Sequence, residues 1–284
     1  MLAEGIRPSP LDRQVGLRAP LLPVRSDSRL IDEWARVLNA EGMVEEPIEV
    51  VMASSDGFQS MEAIANDPRY ERTIEPRSHR GTSGVLADLQ RGEIEGSPYD
   101  YLLVIESGSC PPPSLGRLSE AMHAGGDVIL GASDFDRFAG VVALKPRTLA
   151  VVPDRGYHDF KEQAIPKMLE AGNTLSAVPI IPRAIRVRTL EAWLDAIRSI
   201  ATGHSTKSDE TVGVHLEGHC CVASTAIVDG SLIRDSVIMD GSVVEEGAIV
   251  ARSAVLPGQR VASGRRVIDS IVGLKNTFRS RGIA

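Results

Sequence analysis

The chain has 284 residues, 43% of them apolar and 24% charged, with 31 Lys or Arg against 38 Asp or Glu and a formal net charge of −7. These values are those of a globular chain long enough for two domains, and they exclude a disordered or collagen-like one. Nine Lys or Arg and nine Asp or Glu follow Ser205, so the whole net charge lies before it. With no basic face and only 4% aromatic residues, a nucleic-acid partner is not expected. No apolar run reaches the ~18–20 residues of a membrane span, and the stretch from Met1 to Pro10 lacks a basic-then-apolar leader pattern. With no membrane partner expected and three cysteines (Cys110, Cys220 and Cys221) in no disulfide-like spacing, the expectation is a cytoplasmic protein with reduced thiols.

Taken in chain order, Leu30, Ile31, Trp34, Val37 and Leu38 fall on one face of a helix. Apolar runs over 48–53, 101–105, 128–130, 141–144 and 177–181 read as strands. Between them lie helical stretches: Leu115, Leu118 and Met122 before the Gly125-Gly126 stop, and Phe160, Ala164, Met168 and Leu169 before Gly172. Strands alternating with amphipathic helices predict an α/β domain with a mostly parallel sheet and flanking helices, whose ligands bind at the strands' carboxyl ends. A helix from Leu190 to Ile200 leads into the polar stretch Gly203 to Ser208. A domain boundary is therefore expected between residues 204 and 205, giving units 1–204 and 205–284.

From Ala226 onward a period of six appears. Leu232, Ile238, Val244, Val250, Leu256, Ala262 and Ile268 are all apolar, and the column two places earlier (Ser224, Gly230, Ser236, Ser242, Ala248, Ala254) is small throughout. A helix needs apolar spacings of three and four. A six-residue period suits a triangular coil with one short strand per side, the apolar residue on the axis and the small one at the corner. About three coils of ~18 residues over 212–272 are predicted. The stretch Lys275 to Arg281 is placed to cap the end.

The small-residue and apolar columns resemble those of the hexapeptide-repeat left-handed parallel β-helix family. An α/β domain followed by such a coil resembles the sugar-phosphate nucleotidyltransferases, the nucleotide-sugar pyrophosphorylases. Local segments carry the resemblance in order: Pro20-Leu21-Leu22-Pro23-Val24 with Leu30-Ile31-Asp32; Arg80-Gly81-Thr82-Ser83-Gly84-Val85-Leu86; Ala139-Gly140 with Val141 to Pro146; Asp159 to Lys167; and Thr189-Leu190-Glu191. It implies coupling of a nucleoside triphosphate to a sugar 1-phosphate, with release of pyrophosphate and with Mg²⁺ as cofactor. Positioning and charge neutralisation dominate such chemistry. The resemblance implies nucleotide contacts at Ala3, Gly5, Gly81, Thr82 and Gly84 and sugar contacts at Ala139, Gly140 and Glu162. It implies catalytic cations at Arg7, Arg18 and Lys161, and a metal ligand at Glu106.

The same comparison exposes four departures. The opening phosphate loop is reduced to Leu2 to Pro10, with Glu4 where phosphates are expected, and Ala19 stands at the family's Lys position. A start upstream of Met1 would supply the beginning of the first strand but not these residues. Gly108 occupies the first metal Asp position, leaving Glu106 as the nearest carboxylate, and Arg186 occupies the second. Only four residues join the strand at 128–133 to Phe138, where the family has a hairpin carrying a Glu-Lys-Pro motif. The alternative is therefore a non-catalytic chain that binds a nucleotide or nucleotide-sugar, or that assembles as a homo-oligomer or with an active relative. Three smaller readings remain. Asp134 and Asp136 would supply substitute carboxylates. His215, His219, Cys220 and Cys221 would suit zinc, although the repeat already places Cys220 on the axis. An acyltransferase coil would need His215 or His219 as its base.

Overall fold

The computed structural model describes residues 8–43, 47–52, 64, 66–74, 80–90, 100–135, 137–202, 215–273 and the backbone of 277–279. Its helices are α1 (Pro10–Val15), α2 (Leu30–Ala40), α3 (Gly81–Leu89), α4 (Gly116–His123), α5 (Ile165–Glu170, entered by a wide turn over Phe160–Ala164) and α6 (Leu190–Thr202). The chain forms two compact units, one of Ala35–Ala184 and one joining the described residues of Arg7–Trp34 to those of Ile185–Ala284. The expected boundary at 204/205 lies outside the described residues, as do Val212 and Val214.

In the first unit, β1 (Ile48–Met52) and β2 (Tyr70–Ile74) pair in parallel. β3 (Leu102–Ile105), β4 (Val128–Ser133), β5 (Phe138–Leu144) and β6 (Leu175–Ile181) form a second sheet in the order β3-β5-β4-β6. This sheet is mixed and not mostly parallel: β5 runs antiparallel to both β3 and β4, while β4 and β6 are parallel. The cause is the short link between Ser133 and Phe138, because a parallel pair needs a crossover of a dozen or more residues and a hairpin does not. β2 carries no apolar run, and its exposed Glu71 and Arg72 hid it from a hydrophobic reading. Leu86 and Ala87 of α3, Val104, Val128, Val142, Leu144, Phe160, Ala164 and Met168 form one buried cluster against the sheet.

The end of this sheet opposite the carboxyl ends of β3, β4 and β6 is held by Asp127. Its Oδ2 accepts from the Thr174 backbone N–H at 3.0 Å and from Thr174 Oγ1 at 3.0 Å, and its Oδ1 accepts from Arg147 at 2.6 Å and Lys145 at 3.1 Å. The Thr174 N–H and the Arg147 guanidinium hold this carboxyl well below the usual carboxylate range.

In the second unit, Ser9 caps α1 reciprocally: Ser9 Oγ accepts from Asp12 N at 3.1 Å and Asp12 Oδ2 accepts from Ser9 N at 2.8 Å. This capping box with Pro10 at the first helical position is a strong helix start. Trp193 of α6 is fully buried and donates its indole N–H to Pro23 O at 2.8 Å.

Beyond α6 the chain is a stack of short parallel strands, β7 (His215–Glu217), β8 (Cys221–Val222), β9 (Ile227–Val228), β10 (Leu232–Arg234), β11 (Val237–Ile238), β12 (Val243–Val244), β13 (Ile249–Ala251), β14 (Ala254–Val255), β15 (Arg260–Val261), β16 (Arg266–Ile268) and β17 (Ser270–Val272). They form three sheets, β7-β10-β13-β16, β8-β11-β14-β17 and β9-β12-β15. β18 (Thr277–Arg279) adds antiparallel to β17, so the described part of the expected cap pairs with the last coil.

The repeat differs from the expected one. Ile233 pairs with Val250 and Val250 with Val267, a step of 17 residues and not 18. The axis is filled by Leu216, Val222, Val228, Ile233, Ile238, Val244, Val250, Val255, Val261, Val267 and Val272. The six-residue column therefore holds at Ile238, Val244 and Val250 and fails at Leu232, Leu256, Ala262 and Ile268, whose neighbours Ile233, Val255, Val261 and Val267 take the axis; Ile268 is 43% exposed. The sides from Ile233 to Ile238, Val250 to Val255 and Val267 to Val272 are a residue short; they turn at left-handed Asp235 (φ 44°), Arg252 (φ 46°) and Asp269 (φ 49°), and Val228 to Ile233 is short as well, so Val222 pairs with Ile238 and Val228 with Val244 at a step of 16. Non-glycine residues rarely adopt this conformation, Asp and Asn being the commonest. Arg252 is held there by two bonds to the Asp269 carboxylate, 2.6 and 2.8 Å. Beside that corner, Ser236 Oγ accepts from Ser253 N and Ser253 Oγ from Ser270 N, both at 3.1 Å, a buried ladder that fixes coil-to-coil register. Among the described residues no helix is long and apolar enough to cross a membrane.

Candidate functional site

β3, β4 and β6 run in one direction, so their carboxyl ends share an edge with the amino end of β5. Ligands of open α/β sheets bind at such an edge. Glu106 leaves β3 there. Its N–H donates to Gly140 O at 2.8 Å, and its carbonyl accepts from Ser109 N at 2.9 Å, closing a tight turn. Gly140 has φ +90°, and a Cβ there would lie 2.2 Å from Ser109 Oγ and 2.3 Å from Ser109 Cβ. Only glycine lets β5 pass this turn. Gly140 and buried Ala139 are thus the seat of the Glu106 turn.

Lys161 reaches the same place from the wide turn before α5. Asp159 Oδ1 accepts from the backbone N–H of Lys161 at 2.8 Å and of Glu162 at 2.9 Å, and Gln163 Oε1 accepts from Asp159 N at 2.8 Å. This cap fixes the turn. Lys161 Nζ then stands 3.4 Å from Glu106 Oε1 and 4.0 Å from the centre of the Phe138 ring. The two side chains keep 46% and 29% of their surface, so the pair is reached by solvent. Glu162 is exposed.

The Gly81 to Gly84 segment, expected to contact a nucleotide, is the first turn of α3, which begins at Gly81. A Cβ on Gly81 (φ +71°) would meet His158 O at 2.4 Å. Ser83 donates to that carbonyl through both its N–H, at 3.2 Å, and its Oγ, at 2.8 Å. Buried Arg80 pairs with Asp88 at 2.9 Å and donates to Gly156 O and Pro153 O at 2.7 and 2.9 Å. The first turn of α3 is thereby stitched to 153–158, with Thr82 half-buried and Gly84 buried against Arg80. The Ser83 N–H is engaged by the His158 carbonyl.

Farther along the edge, Pro113, Ser114, Arg117, Asp134, Pro179 and Pro182 line an open cleft of about 300 Å³. Phe135, 77% exposed, stands on the hairpin next to Asp134. Asp136 lies outside the described residues, as do Ala3, Gly5 and Arg7. Arg18 belongs to the second unit, where it is buried with its guanidinium 3.6 Å from Asp12.

The donors do not fit Mg²⁺. Such an ion is normally held by one or two carboxylates together with substrate phosphates. The carboxylate nearest the expected position, Glu106, faces an ammonium ion, which repels a second cation. No group of three His, Cys, Asp or Glu is placed to hold a metal among the described residues. Burial pushes the Cys221 thiol up to about 12 and raises that of Cys220 as well. None of the three cysteines is in a disulfide.

Sequence reading missed Asp159, Phe138, Ser109 and the His158 carbonyl. Asp159 had a signal, an N-cap residue just before Phe160. The others become visible only when β3, β5 and the turn before α5 meet. No protein-family model matches the chain, and no curated protein matches it.

Proposed function

We propose that this chain is a sugar-nucleotidyltransferase-like protein that binds a nucleotide-sugar or sugar phosphate at the carboxyl edge of its mixed sheet without metal-dependent nucleotidyl transfer. The observation that carries the reading is the Glu106–Lys161 pair, 3.4 Å apart, which engages the carboxylate nearest the position where the resemblance expects a metal ligand. In the transfer reaction a sugar phosphate oxygen attacks the α-phosphorus and pyrophosphate leaves, and the developing charge needs a concentrated positive counter-charge. Here the edge offers Lys161 as a monovalent cation already paired with a carboxylate. That suits holding a monoanion or dianion and supplies little to a leaving pyrophosphate. The seventeen-residue coil is read as the left-handed hexapeptide type. Its role is assembly, with copies of this chain or with an active relative, in a reducing cytoplasm that suits cysteines outside any disulfide.

The test is a thermal-shift panel of five nucleoside triphosphates, UDP-glucose, GDP-mannose and ADP-glucose, with and without Mg²⁺, paired with a pyrophosphate-release assay. A ligand at 100 times its Kd adds about 2.7 kcal/mol. The expected outcome is a shift with one nucleotide-sugar that Mg²⁺ does not alter, and no pyrophosphate above the blank. Mg²⁺-dependent pyrophosphate release from a triphosphate and a sugar 1-phosphate would overturn it.

A further inference from the structure

We propose that Lys161 is the anion-binding charge of this edge and that Glu106 is its internal competitor, a carboxylate that occupies the ammonium until a phosphate group displaces it. The inference rests on the reading that a phosphorylated ligand binds here, and goes beyond it by assigning opposite roles to the two residues. If Glu106 were a metal ligand, both residues would favour binding; as a competitor, Glu106 opposes it.

The geometry favours competition. Both charges project from backbones that cannot retreat. Glu106 is fixed by its N–H to Gly140 O, 2.8 Å, and by the turn closed by Ser109 N. Lys161 is fixed by the Asp159 cap on its own N–H, 2.8 Å. The ammonium rests 4.0 Å from the Phe138 ring centre, a cation–π seat that keeps the charge at the edge even when the carboxylate lets go. Lys161 Nζ has three donors, and the partly exposed side chains leave room for an incoming phosphate oxygen beside Glu106 Oε1. A phosphate dianion brings more charge and more acceptor oxygens than a carboxylate, so it wins the exchange. Mg²⁺ is not needed for it.

The experiment measures the Kd of glucose 1-phosphate by calorimetry for the full chain, Glu106→Gln, Lys161→Met and Lys161→Arg, each in EDTA and in Mg²⁺. An exposed ion pair contributes up to about 1 kcal/mol. Glu106→Gln, which releases Lys161, is therefore expected to tighten binding about 2- to 5-fold. Lys161→Met is expected to weaken it about 10-fold, Lys161→Arg to retain most of it, and Mg²⁺ to change none of the four. Weaker or unchanged binding in Glu106→Gln, binding that requires Mg²⁺, or no measurable binding by any form would each overturn the assignment. Circular dichroism of each variant shows that it is folded. The broader reading fails separately, if glucose 1-phosphate, UDP-glucose, GDP-mannose and ADP-glucose all bind no more tightly than inorganic phosphate while the Glu106→Gln gain persists.

Discussion

Gly140→Ala is the most searching perturbation of the site's scaffold. Two costs add. An L-residue at φ +90° carries strain of about 1–2 kcal/mol. The new Cβ would also lie 2.3 Å from Ser109 Cβ. Ser109 cannot swing away, because it is 2% exposed and its N–H closes the turn onto Glu106 O at 2.9 Å. Overpacking of this kind costs about 1–3 kcal/mol. The sum is a loss of about 2–5 kcal/mol, read by equilibrium urea unfolding followed by circular dichroism. For a unit of about 150 residues it corresponds to a fall in Tm of roughly 4–20 °C. A double-mutant cycle with Ser109→Gly separates the two causes. Removing the serine side chain relieves the steric part and leaves the φ strain, so the pair should couple by about 1–3 kcal/mol. A loss below about 1 kcal/mol for Gly140→Ala, or additivity of the two changes within about 0.5 kcal/mol, would refute the argument that β5 and the Glu106 turn are locked by this contact.

Two further predictions test the rest of the fold. In the coil, Val267→Ala should cost about 1.5–3 kcal/mol, because Val267 is 3% exposed on the axis. Ile268→Ser, at a residue 43% exposed, should stay within about 0.5 kcal/mol; the reverse ranking in urea unfolding would restore the strict six-residue register. Asp127→Asn should cost about 1.5–3 kcal/mol at neutral pH, since an amide N–H₂ would then face Arg147 and Lys145. Because the folded pKa of Asp127 lies below its unfolded value, its contribution is present above about pH 4 and fades as the pH falls below that. The stability difference between the wild-type chain and the variant should therefore shrink with acidification, and a difference constant from pH 7 to pH 3 would count against the clamp.

How far the sequence was legible follows from how local each signal is. The strands at 48–52, 102–105, 128–133, 138–144 and 175–181 announced themselves by apolar runs, since burying those runs is what makes them strands. Their directions did not. Strand order depends on the link between β4 and β5, and a link of four residues fixes an antiparallel pair whatever the runs beside it suggest. The coil shows the same division. That valines and isoleucines recur near every sixth position was readable. That residues are missing at the Asp235, Arg252 and Asp269 corners was not, because no glycine marks those left-handed positions and the bonds from Arg252 to Asp269 join residues 17 apart.

The candidate site lies at the far end of this scale. Glu106 and Lys161 are 55 residues apart, and nothing in either neighbourhood says that they meet. Read singly, Glu106 resembles a displaced metal ligand and Lys161 a surface charge on a helix. Their meeting at 3.4 Å changes the meaning of both. A carboxylate beside an ammonium is a poor ligand for a divalent cation, and an ammonium beside a carboxylate is a charge held in reserve. Gly108, two residues beyond Glu106, adds no second carboxylate to the pair. Under the proposed function the two residues then have one reading: Lys161 is the charge that would hold a phosphate, and Glu106 is the charge that a phosphate would have to displace.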